Sequence, residues 1–470
     1  PVLTTSLVVM LLLTSRATPR IRRASVLVVM GICAAVFPLF RVADVSSTLA
    51  PILTWRWSPT PEEALEMAGA AVLKNGTADV PVQAGPVDWP EFRGPNRNGR
   101  VDGVRFSTDW DNAPPKELWR NRVGLGYSSF AVAGDYVFTQ EQRQDMEFVV
   151  CYHAVTGEEI WDNAVAARFD DSTGSGPRAT PTFADGRLYT QGATGILQCL
   201  DASTGAVLWQ KDIQADTGAK LPTWGFASSP LVTDTHVIVF AGGQGGKSVA
   251  AYDKTTGQHA WSSGSGKSGY ASAQLSTVAG VPQILMTSSF GIQALAIDSG
   301  AVLWENEWET SMNPRVVQPL VYDDNAVLVG TAEGKGTRRI ELATNDNSWT
   351  VDEKWTTKKF RPYFNDFVFH EGYCYGFDGN ALTSIDARTG ERAWRGSQYG
   401  GQVLLIADMD MLLVLSEKGH VALVQATPES FEEIAQFKAL DGKTWNHPVV
   451  AQGKLFVRNA EEAACFQLPV

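Results

Sequence analysis

The sequence predicts an all-β fold, an eight-bladed β-propeller with N-terminal transmembrane helices, and three observations carry that expectation. A strand–turn–strand unit recurs eight times along the 470 residues. A second unit, a strand and a D-x-x-TG turn leading to a strand that ends in Trp, follows most copies of the first. An uncharged apolar run over residues 24–40 precedes them all, at the short end of what crosses a bilayer.

The N-terminal region comes first. Residues 1–57 hold six Arg and a single acid, Asp44, whereas the rest of the chain is strongly acidic. A shorter apolar run, residues 3–13, precedes the one at 24–40, and the chain opens at Pro1, so this first run reads as clipped. Arg16, Arg20, Arg22 and Arg23 lie between the two runs. Short Arg-rich loops stay on the cytoplasmic side. Residues 1–41 are therefore expected to anchor the chain in a bacterial inner membrane, with the remainder facing the periplasm or exterior. The competing reading is a secretory signal with residues 24–37 as its apolar region. Residues 42–87 read as a juxtamembrane linker with a short helix at 60–75: Thr60 can cap it, Pro61 suits its first position, Glu63 completes a capping box, and Asn75-Gly76 ends it.

The repeat occupies residues 88–470. Its Trp-ending unit is plainest in "CYHAVTGEEIW" (151–161), "CLDASTGAVLW" (199–209), "AYDKTTGQHAW" (251–261) and "SIDARTGERAW" (384–394), with a shortened copy, "AIDSGAVLW", at 296–304. The Asp can accept from turn N–H groups, Gly supplies a positive φ, and the Trp is expected to pack between neighbouring units. The preceding strand–turn–strand unit starts at residues 130, 181, 230, 273, 319, 367, 404 and 448. Four short strands per unit is the pattern of propeller blades. The eighth unit lacks a Trp strand, and "ELWRNRV" (117–123) is a Trp strand without a unit. Pairing the two would close the ring and remove its exposed edges.

These repeats, with "DWPEFRGPNRNG" (88–99), "GPRATPTF" (176–183) and "GKTWNHP" (442–448), resemble bacterial pyrroloquinoline-quinone-like (PQQ-like) β-propeller repeat proteins. "PILTWRW" (51–57) after hydrophobic spans resembles the membrane-anchored members. The resemblance covers nearly the whole chain. It implies two different kinds of function, because quinoprotein alcohol dehydrogenases are enzymes and the propeller lipoprotein of the outer-membrane barrel assembly machine is a scaffold.

Composition narrows the classes further. Hydrophobic residues make up 44% and charged residues 19%, which suits a folded chain, and five Cys are too few for a disulfide-built scaffold. A net charge of −12 argues against a nucleic-acid surface. The dehydrogenase resemblance would bring adjacent cysteines, calcium-binding Glu and Asn and a catalytic Asp; no two cysteines here are adjacent, and C-x-x-C-H is absent. Cys151, Cys199 and Cys465 fall at one repeat position and read as buried strand thiols. The six His are dispersed without metal spacing, and "GGQGGKS" (242–248) lies between strands, as a hairpin and not a phosphate loop.

The candidate site is the set of residues just ahead of each innermost strand, where a propeller opens its funnel. The ligand-binding candidates are Arg178, Trp224, Tyr270, Arg315, Arg361, Gln402, Trp445 and His447, with Tyr127, Asn365 and Tyr399 beside them. Aromatic rings and guanidinium groups there could clamp a planar, anionic ligand. The plainer alternative, residues that satisfy loop backbone groups around a solvated channel, stays open. The expected function is a non-catalytic binding or scaffold module for envelope protein partners or an envelope ligand. The alternative is a divergent PQQ-dependent oxidoreductase. No catalytic residue, metal or cofactor is assigned from the sequence.

Overall fold

Eight antiparallel blades of four strands each follow one another along residues 116–467, every blade in meander order. The computed structural model describes residues 36–47, 50–69, 80–85, 88–310, 315–331, 334–345 and 348–470, with Thr18, Arg20, Leu27 and Gly31 as single positions. Blade 1 is built from Ala131–Ala133, Tyr136–Arg143, Met146–His153 and Glu159–Val165. Blades 2 to 7 repeat that order between residues 182 and 438, and blade 7 gains a fifth, parallel strand, Arg100–Val101, on its inner edge. Burial follows position within the blade. The middle strands are packed on both faces by neighbouring blades, so Met411–Leu415 is a continuous apolar run with every residue buried. The outermost strands alternate, and in Val207–Asp212 only Trp209 is fully buried.

The Trp-ending repeat is a lock between blades. The indole N–H of Trp119 donates to Ala154 O at 3.0 Å, Trp161 to Ala202 O at 3.1 Å and Trp209 to Lys254 O at 3.1 Å, each acceptor lying in the turn of the next blade. The TG glycine of that same turn lies under the ring. Where the turn is shortened or degenerate the bond changes: Trp304 donates to Gln283 Oε1 of its own blade instead.

The chain's two ends complete blade 8, as the orphan Trp strand predicts. Lys116–Arg122 pairs antiparallel with Glu462–Gln467, setting Trp119 opposite Cys465. Fully buried Arg458 pins this blade to blade 1, donating to Thr139 Oγ1 at 2.6 Å, Gln140 O at 2.9 Å and Gly124 O at 3.0 Å.

Residues 88–99 fill the channel axis, a role their sequence does not announce. Trp89 exchanges backbone hydrogen bonds with Val132 of blade 1, and Pro90 O accepts from Phe183 N of blade 2. Arg97 donates to Ser229 O and Pro230 O ahead of blade 3, Arg93 donates to Phe367 O ahead of blade 6, and Gly99 O accepts from Leu405 N of blade 7. Asp88 Oδ1 accepts from Gln452 of blade 8 at 2.6 Å. A segment that reaches six blades of a ring must lie at its centre.

The region before the ring differs from its expected form. Phe40–Val45 pairs with Pro51–Trp55 as an antiparallel two-stranded sheet, with the Phe40 and Trp55 rings stacked at 4.6 Å. Part of the stretch read as linker is thus a hairpin, closed where Ser46 N donates to Ala50 O at 2.9 Å. Residues 3–13 and nearly all of 24–35 lie outside the described residues. The end of the expected span is a 3₁₀ turn, Phe37–Leu39, holding Pro38. Among the described residues no helix is long and apolar enough to cross a membrane. The helix expected over 60–75 is Pro61–Met67, stopped by Gly69 at φ 75°, while residues 70–79 lie outside the described residues. Residues 80–85, also expected as linker, lie along the ring: Val80 N donates to Ser203 O and Val82 packs on the core between blades 1 and 2.

Candidate functional site

The segments ahead of the innermost strands converge as a band of aromatic rings. Tyr127 stacks on Trp445 at 5.5 Å between centroids, Trp445 meets Phe364 at 4.9 Å, and Phe364 meets Tyr363 at 5.9 Å. Tyr363, ahead of blade 6, then reaches Trp224, ahead of blade 3, at 6.4 Å, and Trp224 packs on Tyr270 at 4.9 Å. Those separations lie within the range in which aromatic pairs attract. Because blades 3 and 6 stand well apart around the ring, the Tyr363–Trp224 contact carries the band across the funnel. Tyr127, Trp224, Tyr363, Phe364 and Trp445 are half-buried, each keeping part of its surface in solvent, while Tyr270 is buried.

Cations back this band. Lys443 Nζ lies 4.0 Å from the Trp445 ring centre and 5.3 Å from that of Tyr127, and it donates to Thr173 O at 2.8 Å. The Arg178 guanidinium lies over Phe169 at 4.7 Å and Tyr127 at 5.5 Å.

The sequence candidates divide by what their side chains touch. Arg178 is committed to its own loop, donating to Asp171 Oδ2 at 2.6 Å, Gly176 O at 2.6 Å and Gly174 O at 2.8 Å. Burial lowers its pKa, with Asp171 opposing the shift. Arg315 is 1% exposed and donates to Ser288 O at 2.7 Å and to Trp308 O. Arg361 is exposed and pairs with Asp378 at 2.7 Å. Gln402 is buried and donates to Phe364 O at 3.2 Å and Trp445 O at 3.1 Å, so it fixes two segments of the band from beneath. Asn365 donates to Gly401 O at 2.5 Å, and Tyr399 bonds Glu433. Of the eight candidates, the structure brings Trp224, Tyr270 and Trp445 into the band, with Arg178 and Gln402 supporting it; the side chains of Arg315, Arg361 and His447 are engaged elsewhere, although Arg315 O accepts from Tyr270 N at 2.8 Å.

His447 belongs to the layer beneath. In the segments ahead of blades 6 and 8 the aromatic residue comes first and the residue meeting the central plug follows: Phe364 before Asp366, Trp445 before His447. Asp366 lies 3.2 Å from Arg93 of the plug and 3.5 Å from His447 Nε2, and it accepts from Gln318 N at 2.7 Å. Phe92 of the plug meets the His447 ring edge-on at 4.9 Å. Burial, with the Arg93 charge beside it, holds His447 well below the usual imidazole value, which keeps it neutral near pH 7.

Three residues of the band escaped sequence reasoning: Tyr363, Phe364 and Lys443. The signal was present in "RPYFND" (361–366), where two aromatics stand at the position that Trp445 occupies in "GKTWNHP".

A quinone cofactor of the kind implied by the dehydrogenase resemblance does not fit this funnel. A planar polyanion needs a flat slot and several cationic donors turned toward it. Here rings in mutual contact span the slot, and Arg178, Arg315 and Lys443 donate to backbone carbonyls of the chain itself. Cys151, Cys199, Cys374 and Cys465 are all buried in separate strands. Burial pushes the Cys199 thiol up to about 11 and that of Cys465 to about 12, so both stay protonated.

Comparison with known proteins agrees with the geometry. The family described as "Outer membrane protein assembly factor BamB" matches over residues 108–211 and 145–358, more than half of the chain. The BamB of Shewanella oneidensis is 22% identical over 362 residues, covering 74% of this chain and 87% of the relative. That of Yersinia pestis is 24% identical over 288 residues, covering 56% and 69%. Among solved structures, BamB of Moraxella catarrhalis superposes with a TM-score of 0.55 at 16% identity, over 75% of this chain and 99% of that one. A quinohemoprotein alcohol dehydrogenase of Pseudomonas putida gives 0.58 at 14%, over 82% and 80%, which establishes the shared fold alone. With its eight blades, its Trp locks and this match across more than half its length, the chain belongs to the BamB-type family of PQQ-like β-propeller repeat proteins.

Proposed function

We propose that this chain is a non-catalytic docking module of the bacterial cell envelope, held at the inner membrane by its apolar N-terminal segment with the propeller facing the periplasm or exterior. Its aromatic band would receive a protein partner. The observation that carries this reading is the band itself: rings from five segments lie in contact across the funnel, most of them keeping part of their surface in solvent, while the charged groups around them are spent on the chain's own loops. Half-buried Trp and Tyr offer large contact area at small entropic cost, and such residues concentrate in binding hot spots. The names of the relatives, outer membrane protein assembly factors, support an envelope protein as the partner. The Arg-rich segment before residue 24 and the uncharged run at 24–40 support the tether.

A photo-crosslinking residue placed at Tyr363 in the native envelope tests this reading. A discrete adduct with one envelope protein is expected, with none from the same residue placed at Gly186, in a turn of blade 2. Equal adducts from both positions, or none from position 363, would overturn it.

A further inference from the structure

We propose that His370, Glu371 and Asp410 form a binding site for a divalent cation of the zinc class, joining blade 6 to blade 7. His370 ends the inner strand Val368–His370 of blade 6, and Glu371 follows it in the hairpin turn. Asp410 occupies the corresponding turn of blade 7. The fold therefore brings three ligand-bearing side chains from two blades to one point. One ligating atom from each lies within 4.8 Å of the other two. His370 is 7% exposed, and its Nε2 faces Asp410 Oδ1 at 2.8 Å. Glu371 and Asp410 are exposed, which leaves the outer side of the cluster open to water.

Charge points to a cation here. Among the described residues neither carboxylate forms an ion pair with Lys or Arg, and the group that faces Asp410 is the His370 imidazole. The imidazole supplies at most one positive charge against two carboxylates. A divalent ion would balance both.

The donor set selects the ion. One imidazole nitrogen and two carboxylate oxygens, completed by water, make a four-coordinate site suited to zinc-class ions. Calcium and magnesium prefer all-oxygen shells with more ligands. Ligand atoms around a tetrahedral zinc stand about 3.4 Å apart, given bonds of about 2.1 Å. His370 and Asp410 would then separate by roughly half an ångström, which a rotamer adjustment of the exposed Asp410 side chain provides. The ion would take the place of the hydrogen bond that now joins His370 Nε2 to Asp410 Oδ1.

The test is calorimetric titration of the full chain in detergent with zinc chloride, alongside thermal unfolding with and without the ion. One saturable site of roughly micromolar affinity is expected, with a higher unfolding temperature when it is filled. His370→Ala and Asp410→Asn should each weaken binding at least about tenfold, a size of loss common for altered metal ligation. Glu371→Gln, in an exposed turn where folding is undisturbed, should weaken it several-fold. Magnesium and calcium chloride should give no comparable site. The proposal is overturned by the lack of any saturable zinc site, by binding that the three variants leave unchanged, or by equal binding of calcium or magnesium, which would indicate adventitious ions on an acidic surface.

Discussion

The indole of Trp161 in blade 1 lies directly against Gly205 in blade 2, so that a Cβ on Gly205 would fall 2.5 Å from Trp161 Cε3. The same indole donates its N–H to Ala202 O, three residues before that glycine. One ring thus requires both the bare α-carbon and the carbonyl of the neighbouring turn, which is why Asp, Thr-Gly and Trp recur together in the sequence. Gly157 under Trp119, Gly257 under Trp209 and Gly390 under Trp355 repeat the arrangement.

Gly205→Ala should therefore destabilise the ring by more than a left-handed backbone alone requires. Gly186, at φ 73° with open space around it, provides the control, since Gly205 has φ 72°. Gly186→Ala is expected to cost about 1–2 kcal/mol, from backbone conformation. Gly205→Ala should cost a further 1–3 kcal/mol or so from overpacking. Denaturant unfolding of the two variants measures the difference, and equal losses would show that the ring contact does not matter.

The plug should be held largely by Arg93. Arg93→Ala leaves Asp366 buried and without its guanidinium, a change of a kind that costs about 3–5 kcal/mol. Adding Asp366→Asn should recover part of that loss by removing the stranded charge. Thermal unfolding of the single and double variants checks both, and additive losses would refute the pairing.

Glu147 should make stability fall as pH rises toward neutral. Its carboxyl lies between blades 1 and 2, accepting from Ala193 N at 3.0 Å, and burial raises its pKa to about 7 against that hydrogen bond and the Arg178 charge. An acid whose pKa is raised on folding binds more protons in the folded state. Its contribution is therefore most favourable below the unfolded value, near 4.5, and is lost progressively as pH climbs through about 7. The full span corresponds to about 3 kcal/mol. Glu147→Gln should flatten the pH dependence of unfolding between about 5 and 8. An unchanged slope would refute the assignment.

Arg178→Ala should act on stability before it acts on binding. Three charge-assisted hydrogen bonds tie this side chain to residues 171–176, and their loss should cost about 2–3 kcal/mol. Proteolysis within that loop should accelerate in parallel. A variant with unaltered loop protection and impaired partner capture would instead make Arg178 a direct contact.

How much of this was legible follows from what periodicity encodes. The eight units, the Trp lock and the pairing of residues 117–123 with the last blade all rest on local patterns repeated at a fixed spacing, and the structure reproduces them. The plug does not repeat. Arg93, Arg97 and Trp89 take their meaning from inner strands up to several hundred residues away, and no local pattern records that. The funnel positions were legible as positions, through the inner strand that follows each one. Whether a side chain there faces outward or turns to the chain's own backbone depends on loop path, and the candidates Arg178 and Arg315 both donate to backbone carbonyls. Tyr363 and Phe364 were overlooked although Arg361 and Asn365 of the same segment were named. The apolar run expected as a span at residues 24–40 ends in the turn Phe37–Leu39 and the strand that starts at Phe40.

The docking role of the aromatic band is tested most directly by partner affinity with Trp224→Ala and Trp445→Ala combined, measured on the envelope protein that crosslinks at position 363. The account predicts a loss of at least about tenfold, since truncated aromatic hot spots cost roughly 2 kcal/mol or more. Because both rings are half-buried, the doubly substituted chain should keep its cooperative unfolding transition. Unchanged affinity in that folded variant, or saturable binding of pyrroloquinoline quinone with dye-linked alcohol oxidation by the parent chain, would contradict it.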